Sequence, residues 1–144
     1  LRANTILVGI HTGGAWVAKK LQQQLGGALP LGTLDISFYR DDFSSIGLHP
    51  QVRPSDIPFA VDDAHIILID DVLHTGRTVR AAMNELFDYG RPAAIELAVL
   101  IDRGGRELPI AADLVGARLD LAPNQNIQVT LDPNNNLLLS LHER

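Results

Sequence analysis

The segment His65-Ile66-Ile67-Leu68-Ile69-Asp70-Asp71-Val72-Leu73-His74-Thr75-Gly76-Arg77-Thr78 limits the fold of this chain more than any other. Ile66 to Ile69 is a continuous apolar run, as in a strand covered on both faces of a parallel sheet. Two carboxylates, Asp70 and Asp71, follow at its C-terminal end. Thr75-Gly76-Arg77-Thr78 then turns into a helix, where Val79, Ala82, Met83, Leu86 and Phe87 recur at i, i+3, i+4, i+7 and i+8 as one apolar face. Gly90 and Pro92 end that helix.

Small residues at a strand-to-helix turn leave backbone N–H groups aimed at one point beside a helix N-terminus. The helix dipole favours an anion there by about 0.3–1 kcal/mol. The Thr75 and Thr78 hydroxyls add donors. The acidic pair cannot hold the same phosphate; it suits sugar hydroxyls or a hydrated Mg²⁺ a few ångströms away. Phosphate at one end and a diol at the other describe a ribose 5-phosphate. The segment resembles the phosphoribosyl-pyrophosphate (PRPP) motif of type I phosphoribosyltransferases: hydrophobic strand, two acidic residues, short spacer, Thr-Gly-x-Thr. A plain βα turn with an acidic tip, as in receiver domains and other doubly wound folds, is the alternative reading.

A second unit of this kind opens the chain. Thr5 to Ile10 reads as a buried strand, His11-Thr12-Gly13-Gly14 as a turn, and the residues to about Leu25 as a helix with Val17, Ala18, Leu21 and Leu25 inward, stopped by Gly26-Gly27. Doubly wound sheets gather such turns along one edge, and PRPP has two anionic ends. In the resembling family this turn binds pyrophosphate and commonly reads Thr-Arg-Gly. Here it is Thr12-Gly13-Gly14. A charged donor at developing negative charge contributes about 2–4 kcal/mol, so glycine at position 13 implies weaker catalysis.

Leu34 to Tyr39 alternates, which predicts a half-exposed strand nearer a sheet edge. Tyr39-Arg40-Asp41-Asp42 resembles the family pattern in which the arginine contacts pyrophosphate; an arginine paired with its own neighbouring aspartates is the other reading. Phe43 to Pro58 is a long loop rich in Ser, Gly, Pro and charge, expected to be a flexible lid over about residues 41–60 that keeps water from an oxocarbenium-like carbon. Ile57 to Val61 is expected to be its returning strand. Ile95 to Ile101 is another core strand, ending in the polar Asp102 to Pro109 loop, where a base could be held. Asp113 to Gly116 reads as a short last strand. Ile127–Leu131 and Leu137–Leu141 flank Asp132-Pro133-Asn134-Asn135-Asn136, a hairpin turn signal. Hood parts are expected at about 102–112 and 117–141.

Composition excludes several classes. The 144 residues suit one domain. With no cysteine there is neither a disulfide framework nor a thiolate metal site, and a reducing cytoplasm fits. No apolar run approaches the ~18 residues of a membrane span, and no metal-ligand spacing links the histidines. A formal charge of −5 argues against a general nucleic-acid binder, although Arg40, Arg53, Arg77, Arg80, Arg103 and Arg106 lie in or near predicted loops.

The resemblance covers nearly the whole chain from Thr5. Through Asp35–Asp42 and the Arg106-Glu107-Leu108-Pro109 run it is similar to pyrimidine-operon regulators of the uracil phosphoribosyltransferase type, which often carry His where Gly105 stands. It implies an α/β, single-domain type I phosphoribosyltransferase fold: a mostly parallel sheet flanked by helices, with lid and hood. It implies conversion of uracil and PRPP to UMP and pyrophosphate. Mg²⁺ would ride on the pyrophosphate, with Asp70 its candidate protein contact. Catalytic roles fall to Asp70, Asp71 and Arg40. The 5-phosphate falls to Val72, Leu73, His74, Thr75, Gly76, Arg77 and Thr78, the pyrophosphate to Thr12, Gly13 and Arg40, and the base to Asp102, Arg103 and Gly104. Implied partners are PRPP, uracil, UMP, a pyr mRNA leader and further copies of the chain, as a homodimer or higher homo-oligomer. A sensor without turnover, and a transferase acting on another base, are the alternatives.

Overall fold

The computed structural model describes residues 2–36 and 55–143. Five strands form one parallel sheet: β1 (Thr5–Ile10), β2 (Leu31–Leu34), β3 (His65–Leu73), β4 (Ala94–Asp102) and β5 (Leu114–Arg118). Their spatial order is β2-β1-β3-β4-β5. Helix α1 (Gly13–Gln24) crosses from β1 to β2, and α2 (Arg77–Tyr89) crosses from β3 to β4. The strands β6 (Gln125–Leu131) and β7 (Leu137–Glu143) pair antiparallel as a separate hairpin.

Period-two alternation sends the apolar residues of the central strands to two cores. Ile6, Val8, Ile10, Ile66 and Leu68 pack with Val79, Ala82 and Leu86 of α2. Leu7, Ile67, Ile69 and Ala98 pack with Ala18 of α1, backed by Val17 and Leu21. The helices therefore lie on opposite faces, which is why the Ile66–Ile69 run has no polar side. The chain leaves β1 toward one edge of the sheet and β3 toward the other. The strand order thus reverses between β1 and β3, where doubly wound sheets open a crevice at the carboxyl ends of their strands.

Several expectations are corrected. The strand after the first helix is Leu31–Leu34, not Leu34 to Tyr39: its ladder against β1 ends where His11 N donates to Leu34 O (2.8 Å), and β1 offers no further partner. Residues 37–39 lie outside the described residues, as do Arg40, Arg53 and residues 41–54 of the expected lid. Ile57 to Val61 is not a strand. Only Asp56 pairs, exchanging two hydrogen bonds with Thr33 (2.8 Å each). Pro58 has no N–H to continue the ladder, and Ile57 and Phe59 pack on the core instead. The strand carrying the acidic pair runs on through Leu73, and α2 starts at Arg77, because Gly76 is left-handed at φ 95°. Leu25 and Phe87 are exposed (43% and 55%): Leu25 lies past the end of α1, and Phe87 is about 100° round α2 from buried Leu86.

Candidate functional site

The carboxyl ends of β1, β3 and β4 carry the site. After β1 the peptide between His11 and Thr12 is cis, and α1 begins at Gly13. Thr12 makes no side-chain cap, and no acidic residue stands in the first turn. The same holds for α2 behind Gly76. Two helix N-termini thus present amides to one crevice without acidic groups of their own, an arrangement suited to anions.

These turns touch at Gly13 and Asp71. A Cβ on residue 13 would overlap Asp71 Oδ2 and stand 2.6 Å from its Cγ. A Cβ on Gly14 would lie 2.5 Å from Ile69 O. The glycines of the first turn therefore admit β3 and its carboxylates at backbone distance. Asp70 is buried. Asp70 Oδ1 accepts from Asp71 N (2.9 Å), and Asp71 Oδ1 accepts from Val72 N (2.8 Å), which fixes both carboxylates at the crevice floor. Among the described residues no group of three or more His, Cys, Asp or Glu could hold a metal. Two adjacent carboxylates suit a Mg²⁺ that arrives with substrate phosphates rather than a resident ion in an all-protein cage.

The turn beyond is tied to the loop after β4. Thr75 Oγ1 accepts from Arg77 N (3.2 Å). Leu73 O accepts from Arg103 N (3.0 Å), and Thr75 O from both Glu107 N (2.9 Å) and Leu108 N (3.2 Å). Arg77 Nε meets Glu107 Oε1 at 2.9 Å. The Arg77 guanidinium is thus turned toward the loop. A Cβ on Gly76 would stand 3.0 Å from Ile110 Cγ1.

Of the candidate base contacts, Asp102 and Arg103 are engaged within the protein. Asp102 pairs with Arg106 at 2.7 Å and accepts from Gly104 N (2.9 Å). The Arg106 guanidinium holds the Asp102 carboxyl below its ordinary range, aided by that amide. Arg103 reaches the hairpin, donating to Asn126 Oδ1 (3.2 Å) and Gln125 O (3.1 Å). The hairpin also touches α1. Sequence reasoning missed Arg106 and Glu107 as ties between turn and loop. Only the i,i+4 spacing of Asp102 and Arg106 hinted at the first.

A parallel sheet that reverses between β1 and β3, two facing helix N-termini and a paired carboxylate between them are the frame of a phosphoribosyl-transferring protein. The sequence matches the family described as Phosphoribosyl transferase domain over residues 2–134, and the chain belongs to that family. Within it, the chain is 62% identical over 131 residues to "Bifunctional protein PyrR" of Nitrosococcus oceani, covering 90% of this chain and 74% of that protein. It is 61% identical over 123 residues to the protein of that name in Pseudomonas putida (strain W619), covering 85% and 72%. Among solved structures, a Trypanosoma cruzi hypoxanthine phosphoribosyl transferase superposes with a TM-score of 0.65 at 25% identity, over 85% of this chain and 65% of that one. A purine phosphoribosyltransferase from Pyrococcus horikoshii gives 0.61 at 23%, over 81% and 71%. The type I fold expected from the sequence is therefore the fold present, and bifunctional PyrR proteins are relatives over most of the chain. No helix among the described residues is long and apolar enough to cross a membrane.

Proposed function

We propose that this chain transfers the ribosyl 5-phosphate of PRPP to uracil, giving UMP and pyrophosphate, and that the same pocket senses UMP and PRPP to regulate a pyrimidine biosynthetic operon. The observation that carries the reading is the contact of Gly13 with Asp71, which brings both anion turns to one acidic floor. The relatives named as bifunctional support the two roles together.

In this reading the backbone of Val72 to Thr78 cradles the 5-phosphate. Asp70 and Asp71 hold the ribose hydroxyls and stabilise positive charge building on the sugar. Thr12, Gly13 and Arg40 face pyrophosphate, and the loop at Asp102, Arg103 and Gly104 faces the base. Uracil nitrogen attacks the anomeric carbon directly, so no covalent protein nucleophile is needed. Asp70 would be the candidate protein contact of a Mg²⁺ arriving with the pyrophosphate, which would supply charge neutralisation there. Residues 1–144 act as one domain in the cytoplasm, assembled with further copies of itself. Turnover is weak, because no basic side chain stands at position 13.

Uracil-dependent UMP formation from PRPP tests this reading. Background rates with tight UMP binding would favour a sensor without turnover, a reading the glycine at position 13 supports. Turnover with hypoxanthine but not uracil would assign another base. For a pyr mRNA leader, affinity should fall steeply with salt; no binding at low salt removes that partner. Light scattering reads the assembly state.

A further inference from the structure

Among the described residues, the Arg106 side chain bonds to both walls of the crevice mouth. Its Nε donates to Ile110 O (2.8 Å), its Nη1 to His74 O (3.0 Å) and its Nη2 to Asp102 Oδ2 (2.7 Å). The acceptors belong to the start of the loop after β4, its end, and the phosphate turn. A rigid guanidinium fork meets three such directions at once, which a lysine ammonium on a flexible stem does not. The side chain is 25% exposed and its Asp102 partner 11%; the bonds to Ile110 O and Asp102 are part-buried, and the one to His74 O is exposed.

The surrounding contacts leave little slack. Thr75 O takes the Glu107 and Leu108 amides. The His74 ring lies 2.9 Å through Nδ1 from Gly104 O, so Nδ1 carries the proton. Its Cε1 would lie 2.6 Å from a Cβ on residue 105, so Gly105 supplies the room the imidazole takes up. The loop cannot shift without moving the peptide between His74 and Thr75, which leads directly into the Gly76 turn.

We infer that Arg106 is a positioning residue that couples base recognition to occupancy of the 5-phosphate turn. By linkage, a phosphate that orders the turn orders the loop, and a base seated in the loop tightens the turn. The ligand identities rest on the uracil reading; the coupling itself does not.

Calorimetry with ribose 5-phosphate and with UMP, on wild type and Arg106→Lys, tests it. In the variant, ribose 5-phosphate affinity should largely hold, while the ratio of UMP to ribose 5-phosphate affinity falls by at least about fivefold. His74→Ala, which removes the ring bond to Gly104 and leaves Arg106 intact, should lower the same ratio. Hydrogen exchange supplies a readout without any base: ribose 5-phosphate should slow the Gly104 amide, which donates to the Asp102 carboxylate that Arg106 holds, in wild type and not in Arg106→Lys, whereas the Glu107 and Leu108 amides, bonded directly to Thr75 O, should slow in both. An unchanged ratio, an equal loss for both ligands, or no slowing in wild type saturated with ribose 5-phosphate overturns the coupling. If wild type binds UMP no better than ribose 5-phosphate, the uracil reading fails and amide exchange alone decides the coupling. If it binds neither, the phosphate turn is misassigned and the coupling falls with it.

Discussion

Gly13 and Asp71 occupy one small volume at the switch point of the sheet: the glycine Cα faces the carboxylate so closely that no side chain fits between them. This contact is the point at which the strand–turn–helix unit of β1 meets that of β3. It also bears on the absent arginine, since any side chain at position 13 must first displace Asp71.

Gly13→Ala should therefore lower phosphoribosyl transfer by about tenfold to a hundredfold, the usual penalty for ångström-scale misplacement of a group at the reacting centre. Gly13→Arg should fall as well rather than restore strong turnover. Steady-state kinetics with PRPP and uracil are the measurement. A rise in kcat for Gly13→Arg would show that Asp71 yields without cost and that the glycine alone limits the rate.

Gly76→Val should cripple PRPP binding and cost about 1–2 kcal/mol in stability. A left-handed backbone is unfavourable by that order for a residue with a Cβ, and the added atoms press on Ile110 at 3.0 Å. Denaturant unfolding and PRPP titration read the two effects. Unchanged PRPP affinity would count against phosphate binding at this turn.

The Asp102 carboxyl titrates below its ordinary range because Arg106 donates to it, with the Gly104 amide adding to the effect. A carboxyl depressed in the folded state stabilises the fold above its unfolded value, and that contribution is lost as pH falls through the folded value. Melting temperature should thus drop more steeply below about pH 4 for the wild type than for Asp102→Asn. Parallel acid limbs would mean that the pair contributes nothing to the fold.

Glu85 behaves in the opposite sense. Burial pushes its carboxyl up, Asp35 and Asp88 push the same way, and a hydrogen bond from Ser55 partly offsets them. The native state therefore holds this proton more tightly than the unfolded chain. Stability from this group is greatest below the unfolded value and declines as pH rises through the folded one. Glu85→Gln keeps an acceptor for Ser55 Oγ, which lies 2.5 Å from Oε1. It should melt higher than wild type at neutral pH, with the gap closing as pH falls from the raised folded value toward the ordinary glutamate one. A gap that does not vary with pH would assign the gain to packing.

Much of this molecule follows from local pattern. Thr5–Ile10 is a strand with the bounds its apolar run implies, and the Asp132–Asn136 turn signal marks the tip of a hairpin. The Ile66–Ile69 run, apolar on both faces, foretells helices on both sides of the sheet. These features are legible because period and turn chemistry act within a few residues. The end of β2 at Leu34 depends instead on where β1 stops offering partners. The exposure of Phe87 depends on which face of α2 the sheet covers, the one that buries Leu86. Three-dimensional packing alone made Gly13 the neighbour of Asp71, turned the Arg77 side chain onto Glu107, and let Arg106 join His74 to Ile110. Such contacts link residues brought together by strand order, and their spacing in the chain carries no local signal. The sequence by itself therefore determined the parallel sheet and its two anion turns, whereas the tertiary structure decided how those turns bear on one another and on the loop beside them.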